Sequence, residues 1–379
     1  MKKVPELRFK EFNEEWKEEK LGDIGHFYKG KNISKEDLSN KGIECIRYGE
    51  LYTTYKEKID LVFNKTRLQL EKLFLSQKND ILIPSSGETA IDISTSSCIL
   101  KENVALGGDI TIIRTKNDGI FLAYYLNYLK KRDIAKLAQG ISIIHLYINH
   151  LKSLNLKLPS RKEQQKIASF LSAIDKKIEL TDKKLEFLEK YKKGLMQKLL
   201  TGKVRFSGFS VGWKEEKLKN IAKIYQPQTI SKSKLNDNYN YLVYGANGII
   251  GKYNKYNHEK EQILVSCRGA NCGIVNFSCP FCWITGNTMV INTDDNRNID
   301  KNFLYFYLKN DKLNYLITGS GQPQITSNIG LHKINLPSLP EQQKIASFLS
   351  AIDKKIELIK SRLENLKGYK KGLLQKMFV

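Results

Sequence analysis

The longest regular pattern of apolar positions starts at Ile167 and continues through Leu171, Ile174, Ile178, Leu185, Leu188, Leu195 and Leu199. It returns at Ile345, Leu349, Ile352, Ile356, Ile359, Leu363, Leu366, Leu373 and Met377. Apolar residues at alternating spacings of three and four line one face of an α-helix, and a stripe kept up for about five heptads is a coiled-coil seam. Ser160-x-x-Glu163 and Ser338-x-x-Glu341, each just after a proline, have the form of a capping box. Pro340 falls in the first turn, where a missing N–H costs little. Each helix then runs for about 38 residues, or ~57 Å at ~1.5 Å per residue. Lys192 and Lys370 interrupt the two seams at the same place, and Thr181 interrupts only the first. Such a stripe must be buried. The partner nearest to hand is the other copy in the same chain; a separate subunit is the alternative, and heptads alone do not fix the direction of the pair.

The two helices belong to an internal repeat. Residues 163–180 read EQQKIASFLSAIDKKIEL, and residues 341–358 read the same. A weaker repeat precedes each copy: Leu7-Arg8-Phe9, Phe12 and Trp16-Lys17-Glu18-Glu19-Lys20-Leu21 match Val204-Arg205-Phe206, Phe209 and Trp213-Lys214-Glu215-Glu216-Lys217-Leu218. Between these constant parts lie segments that share little sequence, roughly 22–157 and 219–335. The plan divides the chain into a first globular domain (1–157), a helix and linker (158–205), a second domain (206–335) and a second helix (336–379).

Within the variable segments the apolar positions bunch into short runs bounded by turn residues, which predicts strands at 80–84 and 109–113, and at 262–265 and 288–291. Helices are predicted at 121–137 and 301–316. The same order with different sequence suggests one fold used twice with different surfaces. The expected class is α+β: two mixed α/β domains separated by two long helices in an antiparallel coiled coil, with a pseudo-twofold internal repeat.

Composition narrows the function. The 379 residues carry 63 Lys and Arg against 40 Asp and Glu, a net charge of +23. An excess of this size suits a polyanion, since neutralised phosphates release condensed counterions; the plain alternative is a basic protein from a lysine-rich proteome. No run approaches the ~20 apolar residues of a membrane helix. The charged start, Met1-Lys2-Lys3-Val4-Pro5-Glu6, does not look like a secretion signal, and six cysteines make no disulfide scaffold, so a cytoplasmic protein is expected.

The duplicated LPS…EQQKIASFLSAIDKKIEL helices, each closed by YKKGLxQK, and the LRF/VRF…F…W starts resemble the specificity subunit of type I restriction–modification systems. The resemblance covers both constant regions; in the variable segments it is limited to phrases such as Ile46-Arg47-Tyr48-Gly49-Glu50-Leu51. It implies two target recognition domains, each reading half of a split double-stranded DNA sequence. It also implies helices that space those domains and dock two modification (methyltransferase) subunits, joined by restriction (motor and nuclease) subunits. Adenine methylation and ATP-driven cleavage, with their S-adenosylmethionine, ATP and Mg²⁺, would belong to those partners, leaving this chain non-catalytic and without a cofactor. A coiled-coil scaffold whose globular parts bind protein is the competing reading.

The chain's own residues agree with that division of labour. No Pro-Pro pair occurs, so an Asn/Asp-Pro-Pro-aromatic methyltransferase motif is missing. Gly25-His26-Phe27-Tyr28-Lys29-Gly30-Lys31-Asn32 approaches a phosphate-binding loop but has Asn32 where a hydroxyl is needed. Cys267, Cys272, Cys279 and Cys282 include one zinc-like spacing, yet cysteine is commonly a small buried apolar residue, and no metal is expected. The five histidines form no ligand-spaced cluster. For DNA, arginine suits guanine, Asn and Gln suit adenine, and Lys, Ser and backbone N–H suit phosphate. Candidates in the first domain are Lys29, Lys31, Arg47, Tyr48, Ser85, Ser86 and Arg114. In the second they are Gln226, Gln228, Tyr244, Asn247, Lys252, Arg268, Asn271, Gln322 and Gln324, with Arg268 and Gln322 favoured by their glycine neighbours.

Overall fold

The apolar stripes become two helices of 39 residues each, Arg161–Leu199 and Leu339–Met377, in a computed structural model that describes residues 4–246, 248–311, 313–319 and 323–378. Ile167, Leu171, Ile174 and Ile178 are buried, as are Ile345, Leu349, Ile352, Ile356 and Leu363, while Leu185, Leu188 and Leu366 are half-buried. The chain divides into two units, Met1–Thr181 with Arg362–Val379, and Asp182–Ser361. Each unit therefore holds part of both helices.

In the first unit Asp175 meets Lys370 at 2.7 Å. The end of the second helix there lies by the start of the first: Leu7 N–H donates to Lys376 C=O at 2.8 Å, and the next residue, Arg8, holds Glu163. The helices are antiparallel. In the second unit Lys192 pairs with Asp353 and Glu189 with Lys360, which again requires antiparallel helices. Asp175 and Asp353, like Lys192 and Lys370, stand at matching positions of the repeat. The lysines that interrupt the seam are thus its ionic partners, and each ammonium also lies 5.1 Å from a ring centroid, Tyr124 or Phe306. Thr181 bonds back to Lys177 C=O, the usual answer of a hydroxyl inside a helix.

The variable segments fold on a common plan. The first has a five-stranded sheet in the order Gly25–Lys29, Ile110–Thr115, Ile81–Pro84, Ser97–Ile99, Lys58–Ile59; the second has Lys223–Tyr225, Thr288–Asn292, Ile263–Ser266, Val275–Phe277. The inner strands ILIP and ILVS are buried throughout, which explains their unbroken apolar runs. A second layer pairs Ile43–Ile46 parallel with Ala105–Leu106, and Tyr241–Gly245 parallel with Trp283–Ile284. Thirty-five positions separate Ile46 from Ile81 but nineteen separate Tyr244 from Ile263, and the extra edge strand Lys58–Ile59 is built from the surplus. The helix predicted at 121–137 is Gly119–Tyr125 and Lys131–Leu137 joined by a π-helical turn, Leu126–Lys130. Its counterpart is Lys301–Asn310 followed by a 3₁₀ turn, Leu313–Leu316. Asp118 and Asp300 cap these helices by accepting from Phe121 and Phe303 N–H.

The constant segments dock each domain onto its helix in the same way twice. Glu163 accepts two bonds from Arg8 at 2.7 Å each, and Glu341 accepts two from Arg205 at 2.8 and 2.7 Å. The carboxylates expected to fold back in capping boxes are therefore spent on distant guanidinium groups, a stronger charge-assisted pairing. Buried Gln164 accepts from Asp118 N–H and donates to Asn117 Oδ1 and Pro159 C=O; buried Gln342 accepts from Asp300 N–H and donates to Asn298 and Pro337 C=O. Strand Lys17–Lys20 pairs with Asn155–Leu158, and Lys214–Lys217 pairs with Lys333–Leu336.

Candidate nucleic-acid interface

Register fixes which candidate residues of the two domains are equivalent. Tyr28 pairs with Ile112 and Tyr225 with Val290, so Lys29 and Gln226 occupy the same place, one residue further along the edge strand. Ser85 N–H donates to Asp109 C=O and Cys267 N–H to Asn287 C=O, so Ser86 and Arg268 correspond in turn. Residues 25–29 are strand, so the phosphate-loop look-alike is not a loop.

In the second domain Gln226, Arg268 and Gln324 come together in a cleft of about 690 Å³. Arg268 and Gln324 face each other in an antiparallel bridge, and both side chains are exposed. Lys219 and Lys223 also line the cleft, giving it three cations and no carboxylate. The sequence reading passed over these two lysines. The signal was present: at the offset of the Trp16/Trp213 repeat they replace Gly22 and His26, so the second domain turns basic where the first is not. A concave surface lined only by cations focuses a field that attracts phosphate.

In the first domain Arg47 and Tyr48 share a cleft of about 480 Å³ with Lys35, Glu50 and Asp109, so the charge there is mixed. Arg47 Nε lies 3.4 Å from Glu50 Oε1, which also accepts from Asn64 Nδ2 at 2.8 Å. Lys29 is exposed, and Lys31 Nζ donates to Glu71 C=O at 3.0 Å.

Several candidates are placed away from solvent. Ser85 is bonded to Thr111 Oγ1 at 2.8 Å and Ser86 to His145 Nδ1 at 3.0 Å, both buried. Tyr244 is buried beside Leu264, with its hydroxyl accepting from Cys279 N–H at 3.1 Å. Arg114 is committed internally: it donates to Asp80 and to Leu75 C=O, with its guanidinium 4.9 Å from the Tyr28 ring centroid and 5.1 Å from that of Phe74. The glycines and prolines around these residues suggested open loops, but the strands they border continue into the core. Lys252, in strand Gly248–Tyr253, and Asn271 are half-buried, and Asn247 and Gln322 lie outside the described residues.

The cysteines belong to two different apolar clusters, Cys267 and Cys272 in one, Cys279 and Cys282 in the other. Burial pushes the Cys282 thiol up to about 11. Among the described residues no group of three or more His, Cys, Asp or Glu is placed to hold a metal ion, and no helix is long and apolar enough to cross a membrane.

Two domains on one plan, each seated on a copy of one helix, and a cationic cleft in the second define a duplicated DNA-specificity architecture. The type I restriction modification DNA specificity domain matches twice, over residues 13–190 and 210–368, and the chain belongs to that family of specificity subunits. The type I restriction enzyme MjaVIII specificity subunit of Methanocaldococcus jannaschii is 26% identical over 417 residues, covering 97% of this chain and 94% of its own. The crystal structure of the S subunit of a type I restriction–modification system from M. genitalium superposes with a TM-score of 0.73 at 21% identity, covering 99% of both chains. A structure described as the basis of complex assembly and conformational transition of the type I system superposes with a TM-score of 0.52 at 17% identity, covering 96% of this chain and 97% of its own.

Proposed function

We propose that the chain reads a bipartite target in double-stranded DNA, one half-site per globular domain, and carries no catalytic step of its own. One observation supports this reading above the others: the same fold, on the same helix segment, presents two unlike surfaces. In the second domain that surface is the cleft of Arg268, Gln226 and Gln324 with Lys219 and Lys223. Arginine and glutamine suit guanine and adenine edges, and the lysines suit phosphates.

The helices support a second part of the proposal, the docking of two copies of one partner, the modification subunit. Gln165, Lys166, Ser169, Ala173, Lys176, Lys177, Glu179 and Leu180 are exposed, and the identical residues of the second copy are exposed too. Packing of a seam does not require identity on the outer face. Leu180 and Leu358, 58% and 71% exposed, add an apolar contact to each face. Restriction subunits would join through those partners, and S-adenosylmethionine, ATP and Mg²⁺ would act on the partner subunits.

The test replaces residues 22–157 with the corresponding segment of another specificity subunit and maps methylated sites in cells that also make the modification subunit. One half-site should change and the other stay. A change in both, or no sequence preference at all, overturns the modular reading.

A further inference from the structure

The two domains carry matching hairpins that differ in chemistry. Leu146 N–H donates to Ser85 C=O at 2.9 Å, and Ile325 N–H to Cys267 C=O at 3.0 Å. Seven residues back from each, a closed backbone pair forms: Gln139 with His145 at 2.9 and 2.7 Å, and Thr318 with Gln324 at 2.9 Å in both directions. Each pair encloses five residues, Gly140-Ile141-Ser142-Ile143-Ile144 in the first domain and Gly319-Ser320-Gly321-Gln322-Pro323 in the second. In the second domain Gln324, at the foot of the hairpin, bridges to Arg268 on the cationic cleft. The equivalent foot in the first domain is His145, bridged to Ser86.

The first hairpin has no charged residue at its tip. Ile141 is 99% exposed and Ile143 60%, and Tyr147, just beyond the foot, is 50% exposed and 6.3 Å from the His145 ring. An isoleucine held wholly in water at the tip of a two-ended backbone clamp is not explained by folding, because it buries nothing. The hairpin frame places it where the second domain faces a cleft suited to phosphate, so the covering surface is nucleic acid. The apolar group that duplex DNA offers in its major groove is the 5-methyl of thymine.

We propose that the hairpin of residues 139–145 is a reading element of the first domain, and that Ile141, with Ile143, recognises thymine methyl groups in its half-site. This rests on the DNA-reading function proposed above. The second domain, with Arg268 and Gln324 on the same frame, would read polar base edges instead.

The test uses the full chain with its modification partner, on duplexes carrying the half-sites found by site mapping. Replacing thymine by deoxyuridine removes only the methyl group. At one or two thymines of the first half-site this should weaken wild-type binding about fourfold, the equivalent of one buried methyl group. Ile141→Ser should weaken binding to the thymine duplex by about tenfold, the scale of most of one isoleucine side chain left unburied, and abolish the thymine–uracil difference. The second half-site should be untouched. Ile141 is fully exposed, so the variant should melt with the wild type. An Ile141→Ser protein that still binds its target with an unchanged thymine–uracil ratio overturns the assignment, as does a first half-site indifferent to every thymine methyl. Absence of any specific binding by the wild type overturns the underlying DNA-reading function instead.

Discussion

Arg8→Met tests whether the first domain is clamped to its helix through one buried carboxylate. Glu163 is 1% exposed and takes both of its short bonds from Arg8, whose own side chain is 13% exposed. Truncation removes two charge-assisted bonds and leaves the carboxylate without its partner. Breaking a fully buried ion pair costs ~3–5 kcal/mol, and the water that reaches Arg8 lowers this to about 2 kcal/mol. In a unit of about 200 residues that corresponds to a fall in melting temperature of roughly 4–8 °C. Adding Glu163→Gln removes the stranded charge and should recover about 1 kcal/mol, so the double variant should be more stable than Arg8→Met alone. Arg205→Met in the second unit should behave in the same sense but lose less, because Arg205 is 23% exposed. Thermal and denaturant melts of the four proteins of the cycle give the numbers. An Arg8→Met protein within ~0.5 kcal/mol of wild type, or losses that simply add in the double variant, would refute the clamp.

Leu7 N–H meets Lys376 C=O at 2.8 Å as Val204 N–H meets Lys198 C=O at 3.2 Å, so a circular permutant opened near Lys203, with Val379 joined to Met1 by a short linker, should fold and keep its methylation pattern. Failure to fold with a linker of adequate length would count against the equivalence of the two junctions. Burial holds the pKa of His258 below its usual value, with its ring nitrogens set between Tyr225 OH and Asn257 Oδ1. The unfolded chain therefore takes up the proton first: the stability from this residue is complete above ~6.5 and is lost as the pH falls below it, so denaturation midpoints should drop between pH 7 and 5, with a shallower slope in His258→Gln.

The seam, the paired helices and the buried central strands were legible because each follows from a local period or an unbroken apolar run. The repeat of sequence located the docking segments but not what they grip. Glu163 reads locally as half of a capping box; only the fold brings Arg8 to it from 155 positions away. Lys192 and Lys370 read as defects because a heptad pattern has no term for a carboxylate on the facing helix. Tyr125 and Tyr307 do one job, their hydroxyls accepting from Lys157 and Asn335 N–H. They stand 182 positions apart while the strands they hold stand 178 apart, so no single offset reveals them. The candidate site was legible in part. Arg268 and Gln324 meet, but Ser85, Ser86 and Tyr244 are buried, since polar composition does not tell a loop from the inner end of a strand.

The paired glutamines, Gln164 and Gln342, bear on how such a protein can change its target. Each is a socket that grips its domain mainly through main-chain groups: the N–H of Asp118 or Asp300, and in the second copy the C=O of Asn298. Main-chain atoms are the same whatever the side chain. A domain exchanged by recombination needs to bring only a loop of the right shape, leaving its reading surface free to diverge. The eighteen residues repeated without change then act as a coupling standard, and novelty in the target can be acquired whole, in a single exchange, without re-fitting the joint.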